Sequence, residues 1–500
     1  MTAFVHFALF IFITCLCVSV NAQPTLVPMS GTHVIPRPSV SYRPATKLQT
    51  TPAFKIGDKL TIPAFSFQIV GGGHYQTDVT CRLIGQNCYI FVENDEWNTR
   101  VTQVTIDSLA RAFDSATARH SDRGIFSVNT NLFGEPPNVD GDSRIIIAII
   151  DVLDSPITGV TFLGYFDVAN QAPPVLREII YIDCRPLDVG STLARATLSH
   201  EFQHMLHWKA DPNEDKWLDE GCSEYAELAC GYKDTTAATT AFFLSLATNS
   251  SLTEWTDGPF DFDQAYLWTT YFVQRYGEAT LRPLVADTTN GISSVNKALQ
   301  TLGKPERFDH LFGEWATALY LDGPGNFGFR DLSLGPVKRD TLAIPTSVSR
   351  KAALWGADYL AFSDTTHTVL TIRSVNNNGL IVTPISNRFM MAPIVVQPNQ
   401  TRRIYRFYSD VQALSITSTS GTGTGYTLST TAFAENSTSP KASDFDADGQ
   451  IGFSDFLRFA NSFGKRSAQP GFDPTFDLNL DREIGFSDFL IFAQHFGLKP

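Results

Sequence analysis

From about residue 62 to 190 the apolar positions fall in short β-branched or aromatic runs bounded by turn residues. Cys88–Val92, Arg144–Ile150 and Glu178–Ile182 predict strands, whereas the three-and-four spacing over Val101–Ala116 predicts a crossing helix. The pattern then becomes helical. Ser191–His207 holds neither Pro nor Gly, Trp217–Glu227 is acidic and amphipathic, and Phe262–Tyr276 carries aromatic residues at helical spacing and stops at Gly277. Between about 340 and 435 short alternating runs such as Thr368–Ile372, Arg403–Tyr408 and Ala413–Ile416 alternate with Asn-, Ser- and Gly-rich turns, which predicts a β-sandwich. The expected class is α+β: a two-lobed domain of mixed sheet and helices at 59–335, a β-sandwich at 336–435, a linker at 436–443 and a small all-α unit at 444–500.

Upstream, Phe4–Val20 is an apolar run followed by Val20-Asn21-Ala22, so residues 1–22 read as a secretory signal peptide. Residues 23–58 are rich in Pro, Ser and Thr and read as a flexible leader or pro-segment, with no Cys to close a metal site through a thiolate. A secreted, extracellular protein without a membrane span is expected. A net charge of -13 argues against nucleic acid or an anionic membrane as partner. Cys81 and Cys88 flank a short turn and are expected to bridge a hairpin as a disulfide; Cys184, Cys222 and Cys230 leave an odd thiol.

The chemistry gathers at His200-Glu201-Phe202-Gln203-His204. Helical positions four apart share a face, so two imidazoles can reach one metal with Glu201 beside them. Sixteen residues beyond His204, Glu220 and Glu224 are again four apart and offer a third ligand and a carboxylate that orients a histidine from behind. Three protein ligands leave a tetrahedral zinc site open for water, the catalytic arrangement. Tyr266 or Tyr271 could donate a hydrogen bond to an oxyanion, with Tyr266 the chosen candidate. The acidic turn Gly134–Asp142 is a solvated turn or a calcium loop.

The tail contains a repeat. Asp444, Asp446, Asp448, Gln450 (by its carbonyl) and Asp455 recur as Asp477, Asn479, Asp481, Glu483 (by its carbonyl) and Asp488, the loop positions that Ca²⁺ requires. After each loop, Phe456, Leu457, Ala460 and Phe463, or Phe489, Leu490, Ala493 and Phe496, form an apolar helical face. So small a unit cannot hold itself together by burial alone, and two calcium ions are expected to supply much of its folding free energy.

Phe133–Asp142, Gly164-Tyr165-Phe166, Glu178–Asp183, His200–Met205 and Trp217–Gly221 together resemble hyicolysin-type and immune-inhibitor-A-like zinc metallopeptidases, and the Trp-Leu-x-Glu-Gly string is similar to the glutamate-ligand segment of gluzincins. The resemblance implies a zincin fold, with His200, His204 and Glu220 on one catalytic zinc, Glu201 as base and Glu224 behind a ligand. The gap from His204 to Glu220 is shorter than in gluzincin aminopeptidases, which leaves Glu224 as the alternative ligand. No Gly-Ala-Met-Glu-Asn motif is present, which favours internal cleavage of protein or peptide substrates over N-terminal trimming. The tail resembles a dockerin, which implies a cohesin-like partner read by Phe453, Ser454, Phe486 and Ser487; Arg482 replaces the usual loop glycine. The alternatives are an inactive secreted adhesion protein or an aminopeptidase.

Overall fold

The computed structural model describes residues 27–36, 53–68, 72–154, 160–363, 368–375, 377–387, 390–406, 411–432, 440–466, 469, 471–478 and 483–499. The signal-peptide segment and the calcium candidates Asn479 and Asp481 lie outside them.

Seven strands form the first sheet: β1 (Val27–Ser30), β2 (Lys59–Ser66), β3 (Gly73–Ile84), β4 (Cys88–Glu93), β5 (Ile145–Ile150), β6 (Val160–Phe166) and β7 (Ile179–Asp183), in spatial order β1-β6-β7-β5-β4-β3-β2. Parallel β4, β5 and β7 make its centre. Their continuous apolar sequence follows from burial on both faces. Ile147, Ile149, Ile180 and Ile182 face the large core beneath the helices, whereas Ile146, Ala148 and Ile150 join Tyr165 and Tyr181 on the other side.

Two helices, α1 (Gln103–Asp114) and α2 (Ile125–Phe133), belong to that large core. Thr102 and Thr105 form a reciprocal cap on α1, so the helix begins later than its apolar pattern alone suggests. The chain then turns into α3 (Thr192–Ala210), α4 (Lys216–Cys230), α5 (Ala237–Leu246) and α6 (Pro259–Tyr276), followed by α7 (Leu281–Val285), α8 (Ile292–Thr301) and α9 (Phe308–Leu321). No described helix is long and apolar enough to cross a membrane.

Strands β8 (Asp340–Leu342), β9 (Thr346–Ala352), β10 (Asp358–Phe362), β11 (Thr368–Ser374), β12 (Leu380–Ile385), β13 (Ile394–Val396), β14 (Thr401–Arg406), β15 (Ala413–Ser418) and β16 (Thr424–Ala432) form two further sheets, ordered β13-β12-β15-β10-β8 and β14-β11-β16-β9. Leu360, Val382, Leu414 and Ile416 from one meet Leu370, Ile372, Ile404 and Leu428 from the other in a shared core, the layering of a sandwich. The outer face of the first is anchored to the helices: Tyr359 donates its hydroxyl to the Ala316 carbonyl of α9 at 2.7 Å. Last come α10 (Phe453–Ser462) and α11 (Phe486–His495), where Phe459 and Phe492 stack with ring centres 5.6 Å apart.

Two expectations are corrected. Cys81 and Cys88 are free thiols, as are Cys184, Cys222 and Cys230. Cys81 pairs with Phe91, and a bulge between Cys81 and Leu83 shifts the register, so Cys81 sits in the core with Tyr89 and Phe91 while Cys88 packs on the opposite face with Ile90 and Val92. Thiols on opposite faces of one sheet cannot bridge. Nor is the leader wholly irregular: β1 pairs in parallel with β6, and Thr32, His33 and Ile35 after it are buried.

Candidate metal centre

Helix α3 begins at Ser191, whose hydroxyl accepts the Ala194 amide at 3.1 Å, and runs without a breaker through the HEFQH segment. Helix α4 crosses it close to α6. Gly221 makes that approach possible, because a Cβ there would fall 2.3 Å from the Thr269 hydroxyl. The α4 turn carrying Glu220 is thereby set beneath the α3 histidines.

His200 Nε2 lies 3.2 Å from Glu220 Oε2, and His204 Nε2 lies 3.4 Å from the same oxygen. Zinc–ligand bonds of about 2.0–2.1 Å in tetrahedral geometry separate ligand atoms by about 3.3–3.4 Å. Donor atoms of His200, His204 and Glu220 all fall within 4.8 Å of one another, so these residues could hold one metal ion. All three are buried, and His204 Nε2 and Glu220 Oε1 have no hydrogen-bond partner among the described residues.

The opposite ring edges are held by carboxylates. Glu227 Oε1 is 2.9 Å from His200 Nδ1, whereas Glu224, expected in that place, stands at 3.7 Å. Lys233 binds Glu224 and also lies 3.3 Å from Glu227 Oε2. His204 Nδ1 meets Asp219 Oδ1 at 3.1 Å and the Ser223 hydroxyl at 3.2 Å; His207 Nδ1 shares Asp219, also at 3.1 Å. A carboxylate at Nδ1 fixes the ring proton there and leaves the Nε2 lone pair for a cation. The sequence assigns no role to Asp219, Ser223, Glu227 or Lys233, although Glu220, Glu224 and Glu227 repeat at four and three residues along one helical face.

The electrostatics of the cluster favour positive charge. Burial works against a charged ring at His204, but the Glu220 and Asp219 carboxylates outweigh it and raise its pKa to about 9. Burial opposes charge at His200 as well, yet hydrogen bonds to Glu220 and Glu227 raise its pKa well above the ordinary value. Burial would raise Glu220, but the two imidazoles overcome that and hold it well below the usual carboxylate range. So acidic a pocket favours positive charge at this point, whether carried by protons on the imidazoles or by a cation.

Glu201 is fully buried, and its Oε2 accepts a hydrogen bond from the Thr32 hydroxyl at 2.6 Å. His33, next in the chain, places Nδ1 3.9 Å from Glu220 Oε1 and packs edge-on against Trp255 and Phe262. Thr32, Ile35, Phe166, His204 and Trp208 line a small cavity beside the cluster. Tyr266 is also buried. Its ring faces the Lys233 ammonium at 5.2 Å, on the side of the cluster held by Glu224 and Glu227, and its hydroxyl has no partner among the described residues. Tyr271 gives its hydroxyl to the Asn326 carbonyl at 3.0 Å.

His200 with Glu224 and Glu227 is a second group that could hold a metal ion, and in the tail Asp444, Asp446 and Asp455 form a third. Asp455 accepts the Phe445 amide at 2.7 Å and the Gly452 amide at 2.8 Å, wrapping the first loop around itself. Of the second loop, Asp477, Glu483 and Asp488 are described, and Asp488 accepts the Gly485 amide at 2.8 Å. In the acidic turn Gly134–Asp142, Asp140 pairs with Arg177 at 2.5 Å and Asp142 accepts the Tyr89 hydroxyl at 2.5 Å.

No known family's sequence profile matches the chain. It is 25% identical over 191 aligned residues to the neutral metalloprotease ShpI of Staphylococcus hyicus, an alignment covering 33% of this chain and 44% of that protein. The chain therefore spans less than half the length of that relative. Among solved structures, it is similar at 12% identity and a TM-score of 0.17 to the pre-peptidase C-terminal domain of a Bacillus anthracis collagenase, over 20% of this chain and 99% of that one. It is also similar at 10% identity and a TM-score of 0.14 to the capsular polysaccharide assembling protein CapF of Staphylococcus aureus, over 52% of this chain and 89% of that one. Neither score carries an argument about fold. The likeness in sequence is thus to a metalloprotease, and the structure adds a buried trio that could hold a metal ion.

Proposed function

We propose that the chain is a secreted zinc-dependent endopeptidase, with His200, His204 and Glu220 holding one zinc ion. The observation that carries this reading is the convergence of the two Nε2 atoms on Glu220 Oε2 at 3.2 and 3.4 Å. Zinc at such a site supplies Lewis acidity, which acidifies water and polarises a carbonyl.

The chain's own residues do the rest. Glu201, beside the cluster, takes the proton of the attacking water and delivers it to the leaving amide nitrogen. Glu227 and Asp219 fix the two imidazoles, while Glu224 acts through Lys233 to hold Glu227. Tyr266, whose buried hydroxyl has no partner among the described residues, is assigned to the developing oxyanion, a role for which it must turn from Lys233.

The tail is assigned two structural calcium ions and a cohesin-like partner. Support comes from the Asp444, Asp446 and Asp455 group and from Phe453 and Phe486, which are 65% and 66% exposed at equivalent positions of the two helices.

Hydrolysis of casein, abolished by a chelator and restored by zinc, tests the assignment. Cleavage of peptides blocked at the N-terminus separates an endopeptidase from an aminopeptidase. Zinc-loaded protein that cleaves neither casein nor peptides, both as wild type and with Thr32→Val and His33→Ala, supports the adhesion alternative.

A further inference from the structure

Resting on the peptidase reading, we propose that residues 27–36 are a built-in stopper that keeps the enzyme latent, with Thr32 as the latch on Glu201 and His33 as the plug over Glu220. Three independent features place them there.

First, β1 occupies a sheet edge. Val27 to Met29 pair in parallel with Val160 to Phe162, and the Gly31 amide continues the ladder to the Gly164 carbonyl at 2.9 Å. Extended peptides bind by adding a strand to an open edge, and β1 takes the β6 edge nearest the cluster for itself. Second, Thr32 is wired to the proposed base. Its hydroxyl accepts the Phe166 amide at 2.7 Å and so points its hydrogen to Glu201 Oε2 at 2.6 Å. A carboxylate held through one oxygen by a fixed buried donor is a weaker base and is pinned in orientation, although Glu201 Oε1 has no partner among the described residues. Third, the site is shut. His200, His204, Glu201 and Glu220 are each 3% exposed or less, and His33, itself 4% exposed, fills the space between Glu220, Trp255 and Phe262. A polypeptide substrate needs that space, so the segment has to leave before turnover.

The test compares full-length protein carrying Thr32→Val with His33→Ala against wild type and Thr32→Ser, each loaded with zinc. Two readouts are followed: the rate at which dipicolinate strips the zinc, and turnover of an internally quenched peptide. The double variant is expected to lose zinc at least tenfold faster and to turn over substrate at least tenfold faster. Thr32→Ser, which keeps the donor, is expected to stay latent. A synthetic peptide of residues 27–36 added in trans is expected to inhibit the double variant. Should the double variant not fold, Thr32→Val alone, which conserves shape, carries the same expectations. Unchanged stripping and unchanged or reduced turnover in a folded variant would overturn the stopper and make the segment a permanent wall of the site. Faster stripping with no turnover in any protein would uphold the stopper and overturn the peptidase reading instead.

Discussion

Glu227 Oε1 stands 2.9 Å from His200 Nδ1, seven residues beyond the carboxylate that meets the other edge of the same ring. The imidazole is clamped between two acids on one helix. Loss of a carboxylate in this position typically weakens metal binding by about 10- to 100-fold. Glu227→Ala is therefore expected to lower zinc affinity by roughly that factor, and Glu224→Ala by less, in competition titrations with a chromogenic chelator. The reverse order would reassign the two carboxylates.

Asp183 at the end of β7 is 1% exposed, with Oδ1 accepting the Val152 amide at 3.0 Å and Oδ2 unpartnered among the described residues. Burial raises its pKa to about 7. The folded state thus binds this proton more tightly than the unfolded state, whose value is about 3.9. The contribution is complete below about pH 4 and is lost as the pH rises through 7. At about 1.4 kcal/mol per pKa unit, stability is expected to fall by roughly 2–3 kcal/mol between pH 5 and 8 on this account. Urea midpoints at the two pH values check it: Asp183→Asn is expected to flatten the fall, and an equal fall in the variant would remove Asp183 as its source.

In the first tail loop Asp455 gathers the amides of Phe445, Asp446 and Gly452, a wrapping that places Asp444 and Asp446 beside it. Calorimetric melting of the full chain is expected to show a transition that calcium raises, with about 2.7 kcal/mol of stabilisation at a hundredfold excess over Kd. Asp455→Ala is expected to abolish the calcium response. A response surviving that change would place the ion elsewhere.

Much of this architecture is legible in the residues. The helix around His200 shows because an unbroken run with histidines four apart has one natural conformation, and β4, β5 and β7 show because their apolar runs are rich in β-branched residues, whereas β1, β2, β3 and β6 carry no such run and were not predicted. What escaped depends on distant parts of the chain. The Cys81–Cys88 pairing failed because one bulge near Arg82 changes which face Cys81 takes, and a bulge leaves little trace in composition. Thr32 and His33 were hidden in a Pro-rich leader, since their partners are 130 or more residues away and no local periodicity announces a parallel edge pairing. Glu227 was within reach: it continues the acidic face of α4 by one further turn.

The most direct measurement is made on Glu201→Gln, a change that preserves shape and removes the base. Zinc content and hydrolysis of denatured casein are measured on the same preparations of variant and wild type, each freed of residues 27–36 inhibition by the Thr32→Val and His33→Ala changes. One zinc per chain is expected in both, with hydrolysis reduced about 10²- to 10⁴-fold in the variant. Equal hydrolysis by the two proteins, or protein that takes up no zinc at all, would contradict it.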